Sequence, residues 1–236
     1  MASFRQAVES YRDYNSTYFL NKNGKFRPQP PGVQSFGSSG DYHYRSESEA
    51  LLGIERAYHF DRNDPIVGQA ITRVVDQIFP EDMTIDPKTG DKELDADLRA
   101  GWYDWAYDRF QCDLEEQADF LEMERLAFRN MFVGGDVQFL PTVDGSLQLH
   151  EAYRCRTPIN SSRNILRGVE LDASHRRQAY WFTKADVSGL TRMELVRDFV
   201  RVPQKDEDGY EQVFHLLDRK RRQVRGVSAF ASCVDM

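Results

Sequence analysis

The sequence predicts an α+β fold in which helices come first and strands follow, and three observations carry that expectation. Apolar residues recur at helical spacing from about Ser46 to Phe132. A Gly134-Gly135 pair then interrupts the pattern, and beyond it Val137 and Phe139 alternate with polar neighbours at the period of a strand. Helices grouped ahead of strands, without βαβ alternation, are the signature of a segregated α+β arrangement.

The chain divides on this reading into an arm over residues 1–45, a helical part over 46–135 and a β-rich part over 136–236. Residues 2–13 have the pattern of a short helix. From Asn15 to Asp41 the chain is crowded with Asn, Gly, Pro and Ser, and Pro28, Pro30 and Pro31 block regular structure while leaving Phe26 and Phe36 free to dock on a neighbour. The helical pattern begins at Ser46. Asn63-Asp64-Pro65 supplies a cap followed by proline at a first helical position, opening a second helix. That helix carries Ile66, Val67, Ala70, Ile71, Val74, Val75 and Ile78 on a core-facing side and stops before Pro80.

A short β-like piece is expected at 83–86, then a turn from Pro87 to Gly90, and then a helix from near Asp91 whose apolar stripe is Leu94, Leu98, Trp102, Trp105 and Ala106. Asp113 with Glu116 has the form of a capping box, which predicts the longest helix from there through Leu121 and Phe128 to Gly134. A hairpin follows, with Asp144-Gly145 at its turn and Leu147 and Leu149 on its return strand. A second hairpin pairs 168–172 with 178–182. A third is expected to pair FVRVP with EQVFHLL across the charged loop Gln204–Gly209.

Composition narrows the function. With 38 acidic against 31 basic side chains the net charge is −7, which argues against a protein that coats nucleic acid with a generally basic surface. Cys112, Cys155 and Cys233 are widely separated, so neither a disulfide framework nor a tetrahedral zinc site is indicated. No apolar run approaches the roughly 18 residues of a membrane span, and no signal-peptide core is present.

Motifs for chemistry are sparse. The chain has no phosphate-cradling P-loop, dinucleotide glycine fingerprint, HExxH helix or G-x-S-x-G elbow, so no catalytic residue and no cofactor are expected. His59, Asp61 and Asp64 form the nearest approach to a metal constellation, although Asp61 and Asp64 lie where helix-capping acids belong. His150 and His215 fall on strands, where local packing or hydrogen bonding is the common role. Trp181, in the run Tyr180-Trp181-Phe182, is assigned with Trp102 and Trp105 to core or subunit interface. Arg219, Lys220, Arg221, Arg222 and Arg225 form the strongest basic run, which is open to three readings: phosphate contact, pairing with acids of an adjacent subunit, or a solvated loop.

Several segments, taken in order, resemble the portal proteins of lambda-like tailed bacteriophages. HFDRNDPIVGQAITRVVDQIF resembles that family's Arg-Asn-x-Pro helix start, with Pro80, Glu81 and Asp82 standing where the family usually carries glycines. GWYDWAYDRFQCDLEEQADFLEMERLAFRNMFVGGDVQFLP resembles its tryptophan-rich helix, Cys-Asp junction, long helix and Gly-Asp strand start. LQLHEAYRCRTP, GVELDASHRRQAYWF and VFHLLDRKRRQVRGVSAF follow in the same order. Ser174-His175-Arg176 occupies a turn where Gly is usual, and Ser228 a place where Pro is usual.

The resemblance covers about residues 45–236. It implies the outer, wing-like region of a subunit that forms a ring, usually of twelve copies, at one capsid vertex. Double-stranded DNA would pass through the ring's channel, and terminase large subunit, head-completion and capsid proteins would dock on it, in the virion and, during assembly, in the host cytoplasm. Members of the family run to roughly twice this length, so the resemblance is to the N-terminal half. Outside it, two other readings of the sequence stand: a small interaction module, and a metal-dependent enzyme acting on nucleic acid.

Overall fold

The computed structural model describes residues 47–79, 83–158, 161, 164–184, 198–220 and 223–231. The expected arm and short helix at 2–13, Pro80 to Asp82, Arg221, Arg222 and Cys233 lie outside the described residues. Helices precede antiparallel strands, as the change of periodicity predicts.

Helix α1 (Glu47–Asn63) buries Ala50, Gly53, Ile54 and Ala57 at helical spacing. Helix α2 (Pro65–Ile78) starts where Asp64 caps it, its side chain accepting from the Ile66 and Val67 amides. Only Ile71 and Val75 of its apolar side are buried, while Ile66 and Ile78 are 80% and 50% exposed. The helix therefore offers part of its expected core face to the outside.

Residues 83–88 run without strand pairing, which corrects the expected β-like piece. Helix α3 (Lys92–Ala106) is capped by Asp91, and its stripe is half used, with Leu94 and Leu98 exposed while Trp102 and Trp105 close on Phe120 at centroid distances of 5.2 Å. A single turn, α4 (Arg109–Cys112), begins at Asp108.

The next helix, α5 (Phe120–Gly134), does not open at Asp113. Its capping box is Asp119 with Glu122, one carboxylate on each other's backbone amide. Asp113 instead ties the preceding loop, accepting from the amides of Glu115, Gln117 and Ala118. Those bonds satisfy the loop's donors in a non-helical form, so the helix starts six residues later. Among the described residues the longest helix is α1, at 17 residues against 15 for α5. Gly135 ends α5 at φ 101°, a conformation that favours glycine.

Strands β1 (Asp136–Pro141) and β2 (Leu147–Glu151) form the expected hairpin, with Phe139 opposite Leu149. A 3-10 turn (Ala152–Arg154) leads to β3 (Ile165–Leu166), β4 (Val169–Leu171) and β5 (Arg177–Thr183). At the β4–β5 turn His175 takes φ 60°, which explains why a glycine would suit the place, and the Asp172 carboxylate compensates by accepting from the Ser174 and Arg176 amides.

The last two strands, β6 (Phe199–Pro203) and β7 (Phe214–Leu217), do not pair with each other as expected. They go to different sheets, in the orders β2-β1-β7 and β3-β4-β5-β6. Val202 lies opposite Tyr180 and His215 opposite Gln138, so each strand finds its partner in a sheet already begun. The intervening loop is closed by a single antiparallel bridge at Lys205 and Glu211, beside the Gln212 N to Gln204 O hydrogen bond of 2.9 Å.

The two sheets face one another through Tyr180, Phe182, Val169 and Val213, with Leu140 and Val202 packed alongside. His150 stacks on Phe182 at 4.7 Å, and Tyr180 meets His215 edge-on. The other face of the first sheet packs on α5 through Val137, Phe139, Met123 and Ala127. A third cluster joins α1, α2 and α5 through Ala57, Ile71, Val75 and Val133, with Phe230 of the C-terminal segment closing it.

Candidate functional site

Where helices and both sheets meet, an ion pair is sealed inside the molecule. Arg225 and Asp136 each expose 1% of their side chains. The guanidinium fork meets the carboxylate with two bonds, Nε to Oδ2 at 2.6 Å and Nη2 to Oδ1 at 2.8 Å. Its remaining donors go to backbone carbonyls: Nη1 to Cys155 O (2.7 Å) and Arg167 O (2.6 Å), and Nη2 to Ala152 O (2.7 Å). All five guanidinium donors are thus used, which is what a buried arginine requires. Asp136 also accepts from the Gly226 amide at 2.7 Å and from Gln138 at 3.2 Å.

Burial alone would raise the Asp136 carboxyl, but the Arg225 guanidinium outweighs it and holds the group well below the usual carboxylate range. Arg225 is shifted further up in turn, with Asp136 overriding the opposing effect of desolvation. His215 Nε2 lies 3.1 Å from Asp136 Oδ2, and burial lowers its pKa against the opposing pull of that carboxylate. Beside the pair, Gly135 and Gly226 cross so closely that a Cβ on Gly226 would stand 1.8 Å from the Gly135 carbonyl oxygen.

The basic run is therefore split. Arg219 and Lys220 are exposed after β7, with Lys220 3.8 Å from Asp218. Arg225 faces inward, which corrects its grouping with surface contacts: its charge is committed to Asp136 and meets neither phosphate nor neighbour. The tryptophans also separate. Trp102 and Trp105 are half-buried on α3, and Trp105 Nε1 donates to Gly145 O at 3.1 Å, fastening the helix to the β1–β2 turn. Trp181, also half-buried, donates from Nε1 to Glu170, which Arg201 grips with two further bonds of 2.9 and 3.2 Å.

In the family comparison, residues 38–235 match the phage portal proteins of the lambda family. The chain belongs to that family. Membership carries a structural role at the phage portal, in an oligomeric and DNA-packaging context at the capsid vertex. No curated protein matches the chain.

In this portal chain the residues that resembled a metal constellation are used structurally. Asp61 pairs with Arg129 at 2.6 Å, Asp64 caps α2, and His59 is exposed. Among the described residues no group of three His, Cys, Asp or Glu side chains converges on a common point. Cys112 and Cys155 are free, and burial pushes both thiols up to about 11, so they stay protonated. No described helix is long and apolar enough to cross a membrane.

The Asp136–Arg225 pair was not foreseeable from spacing, since the two are 89 residues apart. One signal was present: Asp136 and Gln138 put polar groups on the face of β1 opposite Val137 and Phe139, and both prove buried. A strand with two buried faces needs a partner for its polar side.

Proposed function

We propose that the chain is a ring-forming portal subunit, whose assembled copies surround a channel for packaging and ejection of double-stranded DNA and receive terminase, capsid and head-completion proteins. The family match over residues 38–235 carries this reading. Two features support it. The net charge of −7 gives a surface that repels phosphate and lets DNA slide, with the positive charge of Arg219 and Lys220 kept local. Exposed Ile66, Ile78, Leu94 and Leu98 provide apolar surface for heterologous contacts of the kind that close a ring by rotation.

The experiment is the solution mass of the purified chain by light scattering, with negative-stain images of the large species. A discrete ring with a central channel is expected. A monomer at all concentrations would sink the proposal that this chain closes a ring by itself.

A further inference from the structure

The described residues cover the helix-facing side of the first sheet only in part. Three strands at about 4.8 Å spacing make a surface wider than one helix of about 10 Å can hide. Helix α5 lies over β1 and β2. Beside it, Phe214 and Leu216 of the edge strand β7 remain 45% and 43% exposed. The result is an apolar groove of about 480 Å³ between α5 and β7, with Phe79, Phe128 and Trp105 on its walls.

One group in this groove is out of character. Glu124 of α5 lines it, and its Oε2 is buried without a hydrogen-bond partner among the described residues. Desolvation raises the pKa of this carboxyl, as expected where no cation answers it. The groove therefore suits an occupant that brings an apolar side chain with a cation next to it.

The same chain carries that combination on a different surface. At the corner between α3 and α4, Phe110 is 61% exposed, and the Arg109 guanidinium lies 4.9 Å from the centre of its ring. The corner is held firmly. Asp108 accepts from the Phe110 amide at 3.0 Å and from the Gln111 side chain at 2.9 Å, and Tyr107 stacks on Tyr103. Cys112, at the end of the turn, is buried with Met123 and Ala127 of α5. A side chain already fixed in place loses little freedom on docking, and aromatic and arginine side chains are the ones enriched at the centres of interfaces. A lone exposed aromatic needs no partner. Here the aromatic has a cation beside it, and the groove has an acid without one.

Phe110 is not among the residues that line the groove, and α4 is anchored in the same cluster as α5, so the corner cannot swing into the groove of its own chain. The occupant has to come from another copy. We propose that the Arg109-Phe110 corner of one copy enters the α5–β7 groove of the next, with Phe110 among the apolar side chains and Arg109 paired with Glu124. Knob and groove are different surfaces, so the contact is heterologous and, repeated round a closed ring, leaves neither without a partner. The inference rests on the reading of the chain as a ring subunit and names the contact that joins neighbours.

The test places the photo-crosslinker benzoylphenylalanine at Phe110 and, separately, at Leu216 of the whole chain. Normal and heavy-isotope-labelled chains are mixed, so that mass spectrometry tells crosslinks between chains from those within one. The Phe110 probe should label peptides containing Glu124, Phe128 or Leu216 of another chain, and the Leu216 probe the peptide containing Arg109. Glu124→Lys should lower these yields about tenfold, the effect of some 1.4 kcal/mol, and adding Arg109→Glu should restore them. Circular dichroism checks that each variant folds, and Glu124→Gln, with a smaller loss in the same direction, serves if the reversal does not. Rings in which Leu216 labels any other peptide, or in which the yield ignores the charge changes, would overturn this contact and leave the ring reading standing. The expected crosslinks in species that do not close would keep the contact and sink the ring, whereas a chain that stays monomeric would sink both.

Discussion

The Asp136–Arg225 pair and the α5–β7 groove are opposite solutions to the same difficulty, a charge set among apolar side chains. Around Asp136 every donor of the facing guanidinium is used and the glycine backbones close over it. At Glu124 a carboxylate oxygen is buried with no partner among the described residues, and the apolar wall beside it stays open. Polar groups left in this second state are where a further surface has most to offer, because the cost of their desolvation has already been met. The first region is finished by the fold itself; the second leaves a half-buried acid beside an open apolar wall.

That contrast can be broken most forcefully at Arg225. Replacing it by methionine leaves Asp136 buried without its cation, with the Gly226 amide and Gln138 as its remaining donors, and Arg225→Met should cost about 3–5 kcal/mol in urea denaturation. A variant carrying Asp136→Leu as well should recover part of this loss, and no recovery would show that the carbonyls of Ala152, Cys155 and Arg167 matter more than the charge. Gly226→Ala comes next, at about 3 kcal/mol, because its Cβ collides with backbone and not with a movable side chain. Unchanged urea midpoints would mean that the two backbones separate easily.

A pH series sharpens the comparison further. Burial lowers the His150 pKa to about 4, so on acidification the unfolded chain takes up this proton first. Stability from His150 is therefore present above pH ~6.5 and is lost as the pH falls toward about 4, on the order of 3 kcal/mol. Glu151, whose pKa burial raises, works in the opposite direction, so the parent must be compared with His150→Gln at each pH. The variant should show a shallower acid limb; an identical slope would place the sensitivity elsewhere. The smallest effect is expected on the exposed side. Arg219→Glu with Lys220→Glu should shift stability by no more than about 0.5 kcal/mol, leaving ring assembly and DNA retention as the measurements that respond.

Elements whose signals are local were legible in the sequence. Asp64 and Asp91 cap the helices they were expected to cap, since capping depends on residues two or three positions away. The hairpin at Asp144-Gly145 is of the same kind. Asp113 shows where local pattern misleads: both it and Asp119 have a glutamate three residues on, and only the loop's own hydrogen bonds decide between them. Pairing of β6 and β7 was not legible, because strand periodicity states which side is apolar and not which sheet accepts it. Nor could composition separate Arg225 from Arg219 and Lys220. Among the described residues of the run, Arg225 is interior, paired with Asp136 far off in the chain.

That separation also sets a schedule for synthesis. Asp136 leaves the ribosome 89 residues ahead of the arginine that neutralises it. At about 5–20 residues per second, translation takes roughly 4–18 s to deliver the second half of the pair. Until Arg225 is made, burying Asp136 where the helices meet the first hairpin carries the desolvation cost of a carboxylate without its cation. The close approach of Gly135 and Gly226 likewise involves the late-made segment, so the packing around Asp136 is complete only with Arg225-Gly226 in place.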